Sequence, residues 1–431
     1  MKKLLLASSI TLILTQTLFA KEDIKEQEQT RFESLSKLTK VIGTVEKYYV
    51  DDIKLQEIVD KALKGLMQEL DAHSSFLDKK ASKEMSIQTK GEFGGLGITV
   101  GMRDGALTVI SPIDDTPAFK AGVKSSDIIL KIDDKATLNM SLDEAVSLMR
   151  GKPKTDIVLT VVRKGENKPL EIKITRDIIT IQSVFTKKIE NEDLLYLRVS
   201  SFDSKVTEDL EKAIKENKNA KGFILDLRNN PGGLLSQAIG VVDLFVDNGV
   251  IVSQKGKNAE DEEKFEASAS NTVTSLPLVV IVNGGSASAS EIVSGALQDH
   301  KRGIVVGEKT FGKGSVQAVL PIENDRSENI KLTIAKYYLP SGRTIQAVGV
   351  TPDIITAAGK VTQEDDNGFK IKEADLKKHL EGELEKVDDV KTQEKEIKNE
   401  TKKVITAGDI LEDNQLNTSI AILKSLIIMN K

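Results

Sequence analysis

The sequence contains no cysteine among its 431 residues. Disulfides, thiolate nucleophiles and cysteine-ligated metal sites are therefore excluded by composition. Histidine is also scarce, and the three that occur, His73, His300 and His379, match no ligand spacing such as HExxH. A zinc hydrolase or a histidine-based hydrolase is thus disfavoured, and we expect neither a metal nor another cofactor. Any hydrolytic chemistry in this chain needs a different base.

An excess of charge of one sign is missing as well. The chain has 61 basic and 66 acidic residues, a formal net charge of −5. No block of lysine and arginine is long enough to follow a nucleic-acid backbone, so we expect no nucleic-acid partner. Beyond the first twenty residues, no segment is long and apolar enough to cross a bilayer.

The N-terminal residues follow a basic, apolar, polar pattern. Lysines at 2–3 precede an apolar stretch, 4–14, and Ala20 stands ahead of a charged run. This is the layout of a secretory signal peptide, so we expect residues 1–20 to be one and the protein to be periplasmic. Leu18 occupies a position where a small residue is usual at a cleavage site. An uncleaved anchor at the inner membrane is the alternative.

Apolar periodicity divides the rest of the chain into regions. Helical spacing between Phe32 and Leu70 predicts a small helical arm over residues 21–85. A β-rich module follows over 86–178, with one helical stretch inside it. Alternating apolar strands and helices over 179–358 predict an α/β core.

The region 359–431 combines a charged tether with a last helix. The stretch 360–403 is mostly charged and predicts an exposed helix or tether. An apolar stripe lies on the last helix and needs a covering surface. Either the chain's own core or a second subunit can supply it. The stripe consists of Leu416, Ile420, Leu423 and Ile427.

Ser288 stands in a segment of small residues, GGSASASEIVSGALQD. Glu291 follows at capping-box spacing, so Ser288 can simply cap a helix. The alternative is a nucleophile, because a serine at a sharp strand-to-helix turn has backbone N–H groups beside it that can hold an oxyanion. The spacing alone favours the cap.

Lys313 lies in GEKTFGKGSVQAVL, which has the GxxxxGK spacing of a phosphate loop. Gly314 stands where that loop needs a serine or threonine, so nucleotide binding is disfavoured. If the segment is a strand, Lys313 and Gln317 share one face. A buried lysine beside a serine can take up the hydroxyl proton, and the glutamine amide can hold the amine. Two ordinary surface residues are the alternative.

Two glycine-rich loops can present backbone N–H groups. In LDLRNNPGGL a glycine pair ends an apolar strand, so the Gly233 N–H can complete an oxyanion hole; a plain tight turn is the alternative. Gly95, Leu96, Gly97 and Ile98 form a second loop. Its N–H groups can hold a terminal carboxylate while the strand edge pairs with a peptide, or the loop is merely a hairpin turn.

Together these segments resemble the carboxy-terminal processing proteases, also called tail-specific proteases. The likeness covers nearly the whole chain after residue 20 and includes VDKALKGLMQELDAHSSFLD, LDLRNNPGGL, GSASASEI, TFGKGSVQ and YYLPSGRTIQAVGVTPDI in that order. It implies a multidomain α+β protein with a helical N-terminal arm, a β-rich PDZ domain, a crotonase-like α/β serine protease core and a helical C-terminal region.

The resemblance also implies roles by position. Ser288 falls on the family's nucleophile, Lys313 on its general base and Gln317 on the residue that orients the lysine. The oxyanion donors look like the backbone N–H groups of Ala289 and Gly233.

Two further positions carry less weight in the resemblance. Asp299 matches an aspartate sometimes discussed with the catalytic set, but eleven helical residues place it about 16 Å along the helix, so we expect a structural role. The arm reads DAHSS where relatives commonly have a proline before the histidine. That departure touches no catalytic position.

The resemblance therefore implies a serine endopeptidase without a cofactor that acts on exported proteins with apolar C-termini, held by residues 95–98. It also implies a homodimer or higher oligomer and allows an adaptor protein. A silent scaffold that only binds C-terminal tails is one alternative; intact Ser288, Lys313 and Gln317 oppose it. A crotonase-like acyl-thioester enzyme is another, and export away from coenzyme A opposes it.

Overall fold

The computed structural model describes residues 29–103, 105–322, 324, 327–361 and 403–429. The expected signal peptide and nearly all of the charged stretch 360–403 lie outside these residues. The chain divides into two compact units. The N-terminal unit comprises residues 1–82 with Gln317–Thr333, and the main unit comprises Lys83–Val316 with Ile334–Lys431. Across the described residues, no helix has both the length and the apolar character that crossing a membrane requires.

The N-terminal unit is mainly helical, as the apolar periodicity predicts. Helix α1 covers residues 29–48, and α2 covers Leu55–Gln68. Strand β1, Ser75–Leu77, follows, and α3 runs over Lys79–Lys90. Within this unit β1 pairs antiparallel with a later strand, so that Ser75 stands opposite Lys331.

The β-rich module follows α3 along the chain. Its elements are β2 Glu92–Gly95, β3 Ile98–Arg103, β4 Ala106–Pro112, α4 Pro117–Lys120, β5 Ile128–Ile132, β6 Lys135–Ala136, α5 Leu142–Met149, β7 Asp156–Val162, β8 Leu170–Thr175 and β9 Asp177–Thr180. The main sheet has the order β3-β4-β5-β7-β8, and β2 pairs with β9. Helix α5 begins at the Ser141 cap and buries Ala145 and Met149 in the module's own core.

The chain after β9 contributes the remaining elements. They are β10 Val184–Ile189, β11 Leu194–Val199, α6 Val206–Glu216, β12 Gly222–Asp226, α7 Leu235–Asp243, β13 Val250–Lys255, β14 Glu262–Glu266, β15 Leu278–Val282, α8 Ala289–Asp299, β16 Ile304–Gly307, β17 Ser315–Pro321, β18 Asn329–Tyr338, β19 Ile354–Ile355, β20 Val404–Ile405, α9 Ala407–Leu411 and α10 Asn414–Met429.

A seven-stranded sheet forms the centre of this core, in the order β19-β16-β15-β12-β11-β10-β20. Strands β11, β12, β15, β16 and β19 run parallel. Side chains alternate between the two faces of a strand. Leu195 and Leu197 of β11 join the cluster under α6, α7 and α8, whereas Leu194 and Tyr196 join the cluster under α10. Helices therefore cover both faces, and the predicted α/β core is confirmed.

The last helix packs on this sheet. Leu416, Ile420 and Leu423 are buried in one cluster with Ile224 and Ile281 of the central strands. The chain's own core, not a second subunit, therefore covers these three residues of the stripe.

Candidate active site

Three neighbouring strands bring the predicted residues to one edge of the sheet. Strands β12, β15 and β16 lie side by side and point the same way. Gly233 lies in the loop after β12, Ser288 in the loop after β15 and Lys313 in the loop after β16. In open α/β sheets, ligands bind outside the carboxyl ends of parallel strands. The candidate site lies at this edge.

Ser288 occupies a strained turn at the start of α8. Its backbone has φ 55° and ψ −111°, a conformation uncommon for a residue other than glycine. Capping does not require this strain, because Ser141 caps α5 with the same S-x-x-E spacing at φ −69° and ψ 155°. Ser288 is therefore held in a geometry that a cap alone does not need, the geometry of a serine presented at a sharp turn.

Glu291 joins the Ser288 turn to the loop that carries Lys313. Its Oε2 accepts hydrogen bonds from the backbone N–H of Ser288 and from that of Lys313, both at 2.8 Å. The two backbone nitrogens therefore lie no farther apart than twice that distance. Its Oε1 accepts from Thr310 Oγ1 at 2.6 Å and from the Gly312 N–H at 2.7 Å.

The Glu291 side chain is fully buried, and four donors stabilise its carboxylate. Hydrogen bonds to a charged group are about twice as strong as neutral ones. One carboxylate thus fixes the backbone of the candidate nucleophile and of the candidate base together.

The loop after β12 lies directly against Ser288. A Cβ at Gly232 would stand 2.9 Å from the Ser288 Cβ and 3.1 Å from the Ala289 nitrogen, so only glycine fits there. Asn230 shapes the loop: its buried amide donates to the Val199 carbonyl and accepts from the Gly232 N–H, both at 2.9 Å. Close approach of backbone to backbone is what the glycine pair permits.

Two backbone N–H groups beside Ser288 are available as oxyanion donors. Gly233 is exposed, and Ala289 is the first residue of α8. Within the described ranges, neither N–H donates to a protein acceptor. The N-terminus of a helix also favours negative charge. The structure thus brings both predicted donors to the Ser288 turn.

Lys313 lies in a loop, because β17 begins only at Ser315. The segment from Lys313 to Gln317 is therefore not one continuous strand, so strand alternation does not relate these two side chains. Glycines shape this loop: Gly312 has φ 98°, and a Cβ at Gly314 would stand 2.5 Å from the Gln346 nitrogen. Lys313 itself is partly buried.

Gln317 is the third residue of β17, and it belongs to the N-terminal unit. Its side-chain Nε2 donates to Thr333 Oγ1 at 3.3 Å. Asp299, at the end of α8, accepts from the Ser341 N–H at 3.0 Å and pairs with Arg343 at 2.9 Å. Those contacts agree with the structural role expected for Asp299.

Sequence reasoning missed the wider role of Glu291. Its spacing from Ser288 predicts the bond to the Ser288 N–H, but the bonds to Thr310, Gly312 and Lys313 join segments about twenty residues apart. The signal present in the sequence is a glutamate three residues after Ser288. Over the described residues, no group of His, Asp and Glu is arranged to hold a metal ion.

The predicted carboxylate loop lies between β2 and β3. The Leu96 carbonyl accepts from the Ala118 N–H at 2.9 Å, and the Gly97 carbonyl accepts from the Ile113 N–H at 2.8 Å. Gly97 has φ +76°, and a Cβ there would stand 2.2 Å from the Thr116 Cβ. In the described part of the chain, the N–H groups of Leu96 and Gly97 donate to no protein acceptor.

Strand β3, which begins at Ile98, forms one edge of the module's sheet, and α5 lies against it. An edge strand beside a helix, with a loop of unused N–H groups at its start, can pair with an extended peptide and hold its carboxylate. Gly95 ends β2 just before this loop. The four predicted residues, 95–98, therefore occupy adjacent positions at the head of this edge.

Comparisons with known proteins agree with this architecture. The profile of peptidase family S41 matches residues 193–356, and the PDZ-domain profile matches residues 94–174. A carboxy-terminal-processing protease of Bartonella bacilliformis is 42% identical over 390 residues, which cover 89% of each chain. The carboxy-terminal processing protease CtpA of Bacillus subtilis is 36% identical over 352 residues, covering 81% of this chain and 74% of that protein.

Among solved structures, a photosystem II D1 C-terminal processing protease aligns at 27% identity and a TM-score of 0.42, covering 74% of this chain and 92% of that one. The sequence matches define a serine-type peptidase with a PDZ domain. Within that class, the chain belongs to the carboxy-terminal processing proteases of peptidase family S41. The predicted family, fold class and type of activity are confirmed, and its substrates are proteins or peptides.

Proposed function

We propose that this chain is an exported endopeptidase that grips the apolar C-terminal end of a protein substrate with its PDZ domain and cleaves it with a Ser288 and Lys313 pair. The observation that carries the proposal is the Glu291 carboxylate, which binds the backbone of both residues at 2.8 Å. Export to the periplasm rests on the signal-peptide pattern of residues 1–20.

In the proposed reaction, Lys313 as a neutral amine removes the proton from the Ser288 hydroxyl. The Ser288 oxygen attacks the carbonyl carbon of the scissile bond, and the N–H groups of Gly233 and Ala289 hold the resulting oxyanion. The protonated Lys313 returns the proton to the leaving amine as the C–N bond breaks. Water then attacks the Ser288 ester, with Lys313 again acting as the base.

Gln317 has a positioning role in this scheme. The family resemblance places it on the residue that orients the lysine, and the proposal keeps that role for it. An unperturbed lysine is almost wholly protonated at neutral pH, so the scheme requires a reaction rate that rises with pH.

The PDZ loop supplies recognition in the proposal. The free N–H groups of Leu96 and Gly97 suit a terminal carboxylate, and the β3 edge at Ile98 suits the preceding residues of the substrate. Self-association as a homodimer or higher oligomer is part of the proposal, and sedimentation equilibrium of the purified chain tests it. An adaptor protein remains a partner to test by adding cell extract to the purified enzyme.

A cleavage assay tests the function. Wild type should cleave an unfolded protein that ends in an apolar, free C-terminus, should cleave the C-terminally amidated form more slowly, and should leave a folded substrate intact at the same concentration. Ser288→Ala should cleave neither form. Comparable cleavage by Ser288→Ala would overturn the nucleophile assignment, and equal rates on free and amidated substrates would overturn recognition of the C-terminus.

A further inference from the structure

A second segment of the main unit also holds the loop that carries Lys313. The Ala347 N–H donates to the Gly312 carbonyl at 2.8 Å, and the side-chain Oε1 of Gln346 accepts from the Gly314 N–H at 3.0 Å. Gly312 and Gly314 are the two neighbours of Lys313 in the chain. All of these residues belong to the main unit. This segment therefore binds the loop on both sides of the candidate base.

The segment that contains Gln346 is itself fixed in place. Ile345, the residue before Gln346, is fully buried in the hydrophobic core of the main unit. The Ile345 carbonyl accepts from the N–H groups of Val348 and Gly349 at 3.1 Å and 2.9 Å, so the chain turns tightly there. The Gln346 N–H donates to Thr344 Oγ1 at 3.1 Å. The Gln346 side chain thus extends from backbone that is held on both sides.

Lys313 needs external support because a glycine flanks it on each side. Glycine has the widest backbone freedom of any residue, so a Gly-Lys-Gly run has no strong conformational preference of its own. Hydrogen bonds must therefore set the two peptide planes that meet at the Lys313 Cα. Glu291 fixes the plane before it by accepting from the Lys313 N–H at 2.8 Å. Gln346 Oε1 binds the plane after it, because the Gly314 N–H belongs to the Lys313–Gly314 peptide group.

We propose that Gln346 is a positioning residue for the peptidase reaction, because it helps to set the direction in which the Lys313 side chain leaves the backbone. The proposal rests on the proposed function, in which Lys313 removes the Ser288 proton. Gln346 acts through the Lys313 backbone. The Tyr337 N–H also donates to the Gly314 carbonyl, at 2.8 Å, so the loop stays attached to its neighbours when the Gln346 oxygen is removed.

Gln346→Met tests this role with little change in shape, since methionine keeps an unbranched side chain but has only a weak acceptor. We expect kcat to fall about three- to tenfold, the order of one lost hydrogen bond, with KM nearly unchanged. Gln346→Asn should show the same loss, because its side chain is one methylene shorter and draws the oxygen away from the Gly314 N–H. Circular dichroism at the assay temperature shows whether each variant is folded, and Gln346→Asn decides if Gln346→Met is not.

A conservative variant separates positioning from general damage. Gln346→Glu keeps an oxygen that accepts from an N–H. Its kcat is compared with wild type on the high-pH plateau of the pH profile, where the amine is neutral in both proteins whatever the new charge does to the lysine pKa. There it should keep most of the wild-type kcat.

Gln298→Met is the matched control. Gln298 also binds backbone just after the Gln346 segment, because its Nε2 donates to the Thr351 carbonyl at 3.0 Å. Its printed partners do not include the Lys313 loop. The control variant should therefore leave kcat unchanged.

The failures of the two proposals are distinguishable. Wild-type turnover by Ser288→Ala or by Lys313→Ala on the same substrate would overturn the proposed function. If both are inactive, wild-type kcat in the folded Gln346→Met or Gln346→Asn protein overturns the positioning role alone. An equal loss in Gln346→Glu on the plateau, an equal loss in Gln298→Met, or a change confined to KM would overturn it as well.

Discussion

Glu291→Gln is the substitution that bears most directly on how the site is held together. The carboxylate has two donors on each oxygen: the N–H groups of Ser288 and Lys313 on Oε2, and Thr310 Oγ1 with the Gly312 N–H on Oε1. Glutamine has the same shape, but one of its two ends is an NH2 group. Whichever way the amide turns, two donors lose their acceptor.

The expected loss follows from those two bonds. A hydrogen bond to a charged group contributes about 1.5–3 kcal/mol, so two of them give about 3–6 kcal/mol. The least costly amide orientation turns NH2 towards Thr310 and Gly312, because the Thr310 hydroxyl can rotate and already accepts from the Val350 N–H. We therefore expect the free energy of unfolding of the protease core to fall by about 3 kcal/mol, and kcat to fall at least about tenfold.

Urea unfolding followed by fluorescence of a core-specific label, together with kcat on an unfolded substrate, measures both effects. Glu144→Gln is the matched control, because Glu144 closes the same S-x-x-E capping box on the exposed surface of α5. The control should lose little stability and no kcat. Wild-type stability and kcat in Glu291→Gln would show that the buried carboxylate does not hold the site.

Further predictions concern the base, the PDZ loop and the N-terminal arm. Lys313→Arg should be as inactive as Lys313→Ala, because arginine cannot lose its proton; more than about a tenth of wild-type kcat in Lys313→Arg would show that Lys313 is not the base. Gly97→Ala should abolish the preference of the full-length Ser288→Ala protein for free over amidated peptides, because the new Cβ would stand 2.2 Å from the Thr116 Cβ; an unchanged preference in fluorescence anisotropy would exclude this loop. Since hydrogen bonds lower the pKa of Asp71 to about 2 from 3.8, its stabilisation should be complete above about pH 4 and be lost as pH falls towards 2. Asp71→Asn should flatten that acid limb of stability against pH, and an identical limb in both proteins would contradict the assignment.

Elements with a strong local signal were predictable from the sequence. Helix α5, Leu142–Met149, is the helical stretch expected inside the β-rich module, because Ser141 and Glu144 cap it and its apolar residues repeat at helical spacing. The central strands β11 and β15 match their apolar runs, because strands buried on both faces need continuous apolar residues.

The start of β17 was not predictable in the same way. Lys313 remains in a loop because the Gly312 N–H and the Lys313 N–H both donate to Glu291, which removes them from a strand ladder. Both bonds depend on Glu291, which lies in another element, α8. The partner of the Leu416 stripe was equally undetermined, since an apolar helix face does not say which surface covers it.

The hydrogen bonds that join Asp71, Thr333 and Gln317 could not be predicted from the sequence. Asp71, Thr333 and Gln317 come from three separate segments, and only the folded sheet brings their side chains within hydrogen-bonding distance. Neither spacing nor periodicity records such long-range contacts. The motif around Ser288 was recognisable, but the residues that support it were not.

Trapping of the acyl-enzyme is the most direct test of the Ser288 and Lys313 mechanism. The reaction of wild type with an unfolded substrate is quenched in acid within the first turnover, and the protein is digested and analysed by mass spectrometry. We predict a substrate acyl group on the peptide that contains Ser288 in wild type, and none in Lys313→Arg under the same quench. An acyl group on another residue, or one that forms on Ser288 at the wild-type rate in Lys313→Arg, would contradict the mechanism.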